Sequence, residues 1–208
     1  MKRHLCILRN NSPTSSNIAN AALAEVTLYN VAAYANRHGY DLHVVCEPFV
    51  TAKWDHQPIL RMMELYDYVF TMGSDIAITR PETPLESFLV PGKCLVVAGE
   101  DFGHGNLINE DTKLFTSGED AAAVIREWDA LRPQFEDIEH TVQAALMSMV
   151  RAGDSRISVA PLKALQSHPM PGTKTEWKRG DFALHAICVG DDDAKLKFFL
   201  RFFGLLVE

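Results

Sequence analysis

An aspartate and a histidine, far apart in the chain, are the two residues best suited to chemistry. Asp75 ends the stretch YDYVFTMGSD, in which an apolar run stops at small residues, and His185 lies in the late stretch GDFALHAICVG. A buried carboxylate is costly unless it is paired, hydrogen-bonded or bound to a metal. A carboxylate oxygen and an imidazole nitrogen together suit Mn²⁺ or a similar divalent ion. A turn aspartate and a core histidine are the structural alternatives.

Other common catalytic signatures are missing from the sequence. It has neither GxGxxG nor GxxxxGK[ST], which argues against Rossmann cofactors and P-loop nucleotides as first choices. It also lacks GxSxG and HExxH. Its four cysteines are widely spaced without a CxxC pair, so we predict reduced thiols in a cytoplasmic setting. A net charge of −7 without a Lys/Arg run argues against nucleic acid as a partner, whereas a divalent cation would let an acidic protein hold a nucleotide diphosphate.

Strands that alternate with helices are predicted to carry these residues. The predicted strands are Arg3–Leu8, Asp41–Cys46, Tyr66–Met72, Lys93–Val97, Thr112–Phe115, Ile157–Ala160 and Asp181–Cys188. The predicted helices are Ile18–His38, Pro58–Leu65, Glu119–Leu131, Ile138–Val150 and Asp192–Phe203. This order favours an α/β layered domain with a largely parallel sheet, in which ligands bind beyond the carboxyl ends of the strands.

The apolar C-terminal segment KLKFFLRFFGLLVE could lie on a membrane surface or, as we predict, form a core helix. No run of 18 apolar residues occurs, so we expect no stable membrane insertion.

Five segments, taken in order, resemble the motifs of a known family. They are NVAAYANRHGYDLHVV, KWDHQPILRMMELYDYVFTMGSDIAITRP, GNLINEDTKLFTSGEDAAAVIREWDAL, EHTVQAAL and KRGDFALHAICVG. The chain thereby resembles GT-A glycosyltransferases, and among them family 34 of galactosyl-, xylosyl- and mannosyltransferases. It also resembles chlorella-virus capsid-glycan enzymes, which lack the membrane anchor of Golgi relatives. The resemblance implies one Rossmann-like GT-A domain over residues 1–208, with helices flanking a mostly parallel central sheet; this domain could be the N-terminal part of a longer protein.

The resemblance also implies roles for individual residues. Asp75 and His185 would hold Mn²⁺ or Mg²⁺, although Gly73 replaces the first carboxylate of the family's DxD motif, which puts the ribose contact and the metal affinity in doubt. The implied donor-binding residues are Arg9, Asn10, His56, Ser74, Asp75, Asn109, Lys178 and Lys195. The implied catalytic residues are Asp111, Glu139 and His140. Three tryptophans fall on family positions, and we predict that they are structural anchors: Trp54, Trp128 and Trp177.

The function that the resemblance implies is transfer of a sugar from a UDP-sugar to a glycan hydroxyl, with retention at the anomeric carbon. Three alternatives stay open. A GT-A domain without the first aspartate could bind nucleotide sugar or glycan without turnover. A sugar nucleotidyltransferase would need a Gly-rich, basic loop after the first strand, which the sequence lacks. A purely structural domain is the third alternative.

Overall fold

The computed structural model describes residues 2–10, 18–45, 56–101, 105–138 and 140–206. Its strands are β1 (Arg3–Asn10), β2 (Asp41–Val45), β3 (Tyr66–Met72), β4 (Ile76–Ile78), β5 (Leu95–Gly99), β6 (Ile108–Thr116), β7 (Ile157–Val159) and β8 (Ala183–His185). Its helices are α1 (Ile18–His38), α2 (Gln57–Leu65), α3 (Glu119–Ala130), α4 (Arg132–Phe135), α5 (Thr141–Arg151) and α6 (Asp192–Phe202).

Six strands form a central sheet in the order β2-β1-β3-β6-β5-β7. β1 pairs in parallel with β2 and β3, and β5 pairs in parallel with β7. β6 runs antiparallel to both of its neighbours, β3 and β5. The predicted α/β class with a mostly parallel sheet is therefore confirmed, although the sequence pattern had not indicated the reversed direction of β6.

Both faces of the sheet are buried, as expected for a sheet covered by helices on two sides. Alternate residues of β1 belong to different cores: Leu5 and Ile7 pack with α1, whereas Cys6 and Leu8 pack on the side of α2, α3 and α5. Because side chains alternate between faces along a strand, one short apolar strand contributes to both layers. The result is a sheet between two helical layers. Since both faces of the sheet are buried, polar groups gather at the ends of its strands.

A separate two-stranded sheet departs from the predicted pattern. The late strand, predicted over Asp181–Cys188, is the shorter β8, and it pairs antiparallel with β4, which the sequence pattern had not indicated. Next to this pair, α6 buries Phe199 completely against Leu23 and Ala186. The prediction that the C-terminal segment forms a core helix is thus confirmed for Phe199. Leu205 and Leu206, just after the helix, are exposed.

Within the described part of the chain, no helix combines the length and the apolar character that crossing a membrane would need.

Candidate active site

The pairing of β4 with β8 brings Asp75 and His185 together. His185 lies opposite Ile76 in this pair, so it is next to the residue that follows Asp75. The Ala186 N–H donates to the Asp75 carbonyl at 3.0 Å, which closes the ladder at this end. His185 Nε2 then lies 3.3 Å from Asp75 Oδ1. The two residues singled out from the sequence are therefore direct neighbours.

Lys195, in the first turn of α6, contacts the other carboxylate oxygen. Its Nζ lies 2.6 Å from Asp75 Oδ2. Burial alone would raise the pKa of Asp75, but His185 and Lys195 outweigh it and hold that pKa well below its usual range. Burial would likewise lower the pKa of His185, which is 1% exposed, yet Asp75 and then Asp111 raise it. Asp75 is therefore an anion between two cationic partners.

Two buried side chains hold the turn that presents Asp75. Arg9 Nη2 donates to the Ser74 carbonyl at 2.7 Å, and Thr27 Oγ1 donates to the same oxygen at 2.6 Å. Burial lowers the pKa of Arg9 to about 10, which still leaves the guanidinium charged at neutral pH. The structure thus places Arg9 as a support for the Ser74–Asp75 backbone. The side chain of Asn10, the other residue predicted at this strand end, lies outside what the structure describes.

Asp111, on β6, approaches the same histidine, and Asn109 contacts the backbone of Asp111. Asp111 Oδ2 lies 3.6 Å from His185 Nε2, and the Asp111 side chain is 40% exposed. Asn109 Oδ1 accepts a hydrogen bond from the Asp111 N–H at 3.0 Å, which fixes the backbone at this point. Partial removal from water and, after it, the negative charge of Glu110 raise the pKa of Asp111. These contacts bring Asp111 into the Asp75–His185–Lys195 cluster, and Asn109 supports it.

Several other predicted site residues have partners elsewhere or are exposed. His56 is buried against Trp128, with ring centroids 4.1 Å apart, and its Nδ1 bonds Asp129. Lys178 Nζ pairs with Glu176 Oε1 at 2.5 Å. His140 is exposed and precedes α5 in a left-handed conformation, with φ of 56°. Glu139, like Trp54, lies outside the described residues.

Sequence reasoning missed two buried polar residues beside the cluster. Glu100 follows the fully apolar strand β5, is 4% exposed, and has no hydrogen-bond partner for Oε2 among the described residues. His168 is fully buried, its ring centroid lies 5.5 Å from that of His185, and burial lowers its pKa to about 3, so it is neutral. The signal for Glu100 was available, because it is the first polar residue at the carboxyl end of a central strand.

Glu100 provides a prediction on pH dependence. Burial raises its pKa from 4.5 to about 7, so its contribution to stability is full below pH 4.5 and is lost as the pH rises through 7. Glu100→Gln imitates the protonated form. We expect the variant to be more stable than the native chain at pH 8, by at most about 3 kcal/mol, and equally stable near pH 4.5.

The measurement is thermal unfolding at both pH values in the presence of a chelator. The matched control is Glu82→Gln, which removes an exposed carboxylate paired with Arg80 and should leave the pH dependence unchanged. Equal unfolding temperatures of native chain and Glu100→Gln at pH 8 would contradict the prediction.

The donor atoms of Asp75 and His185 can be tested against the needs of a divalent cation. Neighbouring ligands of an octahedral cation with bonds of about 2.1 Å lie about 3 Å apart, and the observed oxygen–nitrogen separation is 3.3 Å. No group of three or more His, Cys, Asp and Glu side chains placed to hold one ion occurs in the described ranges. The pair therefore fits a cation that keeps most of its coordination positions for water and phosphate oxygens.

Solved structures share this architecture. A glycosyltransferase involved in glycosylation of the major capsid of PBCV-1 superimposes with a TM-score of 0.75 at 16% identity, over 95% of this chain and 99% of that one. The chain has the GT-A fold. The galactosyltransferase LgtC, in complex with donor and acceptor sugar analogues, gives a TM-score of 0.61 at 12% identity, over 98% of this chain and 96% of that one. The glycosyltransferase GlyE of Streptococcus pneumoniae TIGR4 gives 0.58 at 15% identity, over 97% of this chain and 65% of that one.

No protein-family model matches the sequence, and no curated protein does either. At identities of 12–16% the GT-A likeness concerns the fold, whose function has to be argued from the site.

Proposed function

We propose that this GT-A chain is a cation-dependent glycosyltransferase, which moves a sugar from a UDP-sugar to a glycan hydroxyl with retention at the anomeric carbon. The observation that carries the proposal is the Asp75–His185 pair, with donor atoms 3.3 Å apart beyond the end of β3. The glycosyltransferases that share the fold support the reaction class.

The cation is Mn²⁺ or Mg²⁺, held by Asp75 and His185. When bound, it supplies Lewis-acid chemistry at the diphosphate of the donor. Asp75 remains ionised for this role because His185 and Lys195 depress its pKa. His185 would bind an ion through Nε2 after releasing its proton to solvent, and its place beside Asp75 and Asp111 means that the ring needs no large movement.

Lys195 provides the positive charge for the leaving group. Its ammonium contacts Asp75 Oδ2, the carboxylate oxygen on the other side from His185, and so lies next to the proposed cation site. A diphosphate there would take the ammonium as a hydrogen-bond donor, which stabilises the negative charge that develops as the sugar–phosphate bond breaks. Asp111 carries the opposite charge and is exposed enough to meet a positive charge that develops on the sugar.

The remaining donor and acceptor contacts extend this proposal. Asn10 would meet the nucleotide base, and Glu139 and His140 would face the transferred sugar. With retention, the departing phosphate oxygen accepts the proton of the acceptor hydroxyl, so the site needs no separate strong base. We place the reaction in the cytoplasm.

The test is a thermal-shift panel of UDP, UDP-sugars and UTP, each with and without Mn²⁺, combined with an assay for released UDP. A UDP-sugar at about 100 times its dissociation constant adds about 2.7 kcal/mol of stability, which raises the unfolding temperature by about 5–10 °C for a chain of this size. We expect that shift only with Mn²⁺, together with UDP release. No shift with any UDP compound would refute the proposal.

A second function, binding of the UDP-sugar without turnover, is favoured by Gly73, because a glycine provides no carboxylate at this position. A silent GT-A domain would bind the UDP-sugar with Mn²⁺ but release no UDP on incubation with acceptor glycans. The same panel therefore separates the two functions. Release of pyrophosphate from UTP and a sugar 1-phosphate would indicate a nucleotidyltransferase instead.

A further inference from the structure

Building on the proposed function, we propose that Asp111 replaces the missing carboxylate at position 73 and supplies the second negative charge of the cation site. The acidic side chain would thus come from β6 and not from the residue that follows β3. Its charge would lie in the same part of the site.

The register of the sheet places the two positions side by side. β3 and β6 pair antiparallel, with Met72 opposite Thr112. Gly73 directly follows Met72, and Asp111 directly precedes Thr112. The two residues are therefore neighbours at the end of this strand pair. A Cβ atom added at Gly73 would lie 3.8 Å from the Asp111 Cβ and 3.2 Å from Asp75 Oδ1. A side chain on residue 73 would therefore enter the space between the Asp75 and Asp111 carboxylates.

The Asp111 carboxylate is also directed to the centre of the site. Asp111 Oδ2 lies 3.6 Å from His185 Nε2, and the same nitrogen lies 3.3 Å from Asp75 Oδ1. Lys113, a cation on the same strand, is paired with Glu110 instead, with its Nζ 2.6 Å from Glu110 Oε2. Among the described residues, His185 is the only basic group within 4 Å of the Asp111 carboxylate. A cation on His185 would provide the positive charge that Asp111 lacks.

Charge balance explains why a second acid is needed. In the absence of an ion, Asp75 is neutralised by both His185 and Lys195. Because His185 binds an ion only as a neutral imidazole, the charge of Asp75 is then opposed by Lys195, and Asp111 adds the negative charge that attracts a divalent cation. Removing a group that supports metal ligands typically lowers metal affinity about 10- to 100-fold.

The experiment measures the binding of Mn²⁺ alone, without nucleotide, by calorimetry. The variants are Asp111→Ala, Gly73→Asp/Asp111→Ala and, as the matched control, Gly73→Ala/Asp111→Ala. We expect Asp111→Ala to lower the Mn²⁺ affinity about 10- to 100-fold, the aspartate at position 73 to restore most of it, and the alanine at position 73 to restore none. Unfolding curves establish that each variant is folded.

Native Mn²⁺ affinity in folded Asp111→Ala, or no recovery in folded Gly73→Asp/Asp111→Ala, would overturn the inference and leave the proposed function standing. If the native chain binds no Mn²⁺ in the absence of nucleotide, the inference fails, and the panel of UDP-sugars decides the proposed function separately. Should the double variant not fold, Asp111→Asn and Asp111→Glu decide: the inference requires loss of affinity in the first and retention in the second.

Discussion

Asp75→Asn should abolish the Mn²⁺-dependent binding of UDP and with it any transfer activity. The substitution preserves shape but removes the charge that His185 and Lys195 both contact. The proposed ion then loses an anionic ligand, and His185 and Lys195 lose their shared partner beside the proposed diphosphate site. Because breaking a buried ion pair on one side costs about 3–5 kcal/mol, we also expect a lower unfolding temperature.

Calorimetry with Mn²⁺ and UDP, and the UDP-release assay, measure the loss. The matched control is Asp193→Asn, which removes an exposed carboxylate on α6 that pairs with Lys197. This control should bind as the native chain does. Metal-dependent UDP binding that survives in folded Asp75→Asn would remove the cation site from the proposed mechanism.

Trp128→Ala should produce a large loss of stability. Trp128 is fully buried on α3, and its Nε1–H donates to the Val142 carbonyl at 2.9 Å. Its ring packs against His56 and lies 5.4 Å from Lys113 Nζ. The residue therefore joins the start of α2, β6 and α5 in one contact, and truncation should cost about 3–5 kcal/mol.

For a chain of this length that cost lowers the unfolding temperature by about 10 °C, which calorimetry or circular dichroism can measure. Trp177→Ala is the matched control, since Trp177 is half-buried, donates to Thr79 Oγ1 at 3.1 Å and packs edge-on against Phe202. We expect a smaller loss there. A change below about 1 kcal/mol in Trp128→Ala would show that the predicted anchor is wrong.

Local patterns in the sequence were sufficient for most of the elements. α1 was predicted over its observed range because apolar residues at helical spacing continue until Gly39, which has φ of 70°. β3 was also predicted over its observed range. In contrast, β4 has three residues, too few for a periodic pattern, and nothing local encodes the antiparallel direction of β6.

The sequence indicated two residues of the candidate site but not the contacts around them. Asp75 and His185 could be singled out because polar residues at the ends of apolar strands need a partner. The hydrogen bond from Arg9 to the Ser74 carbonyl could not be predicted, because it joins residues 65 positions apart through tertiary structure. The donor-site role that the resemblance implied for His56 stays a prediction, and its packing against Trp128 was not indicated by the sequence.

The pairing of β4 with β8 has a consequence for biosynthesis. β7 completes the central sheet, yet it precedes His185 in the chain. A nascent polypeptide that has just emerged as far as β7 contains every strand of that sheet but neither the imidazole nor the ammonium that Asp75 requires. The proposed cation site thus becomes complete only with the segment that follows β7, and a ribosome-stalled fragment ending at β7 would contain Asp75 without His185 and Lys195.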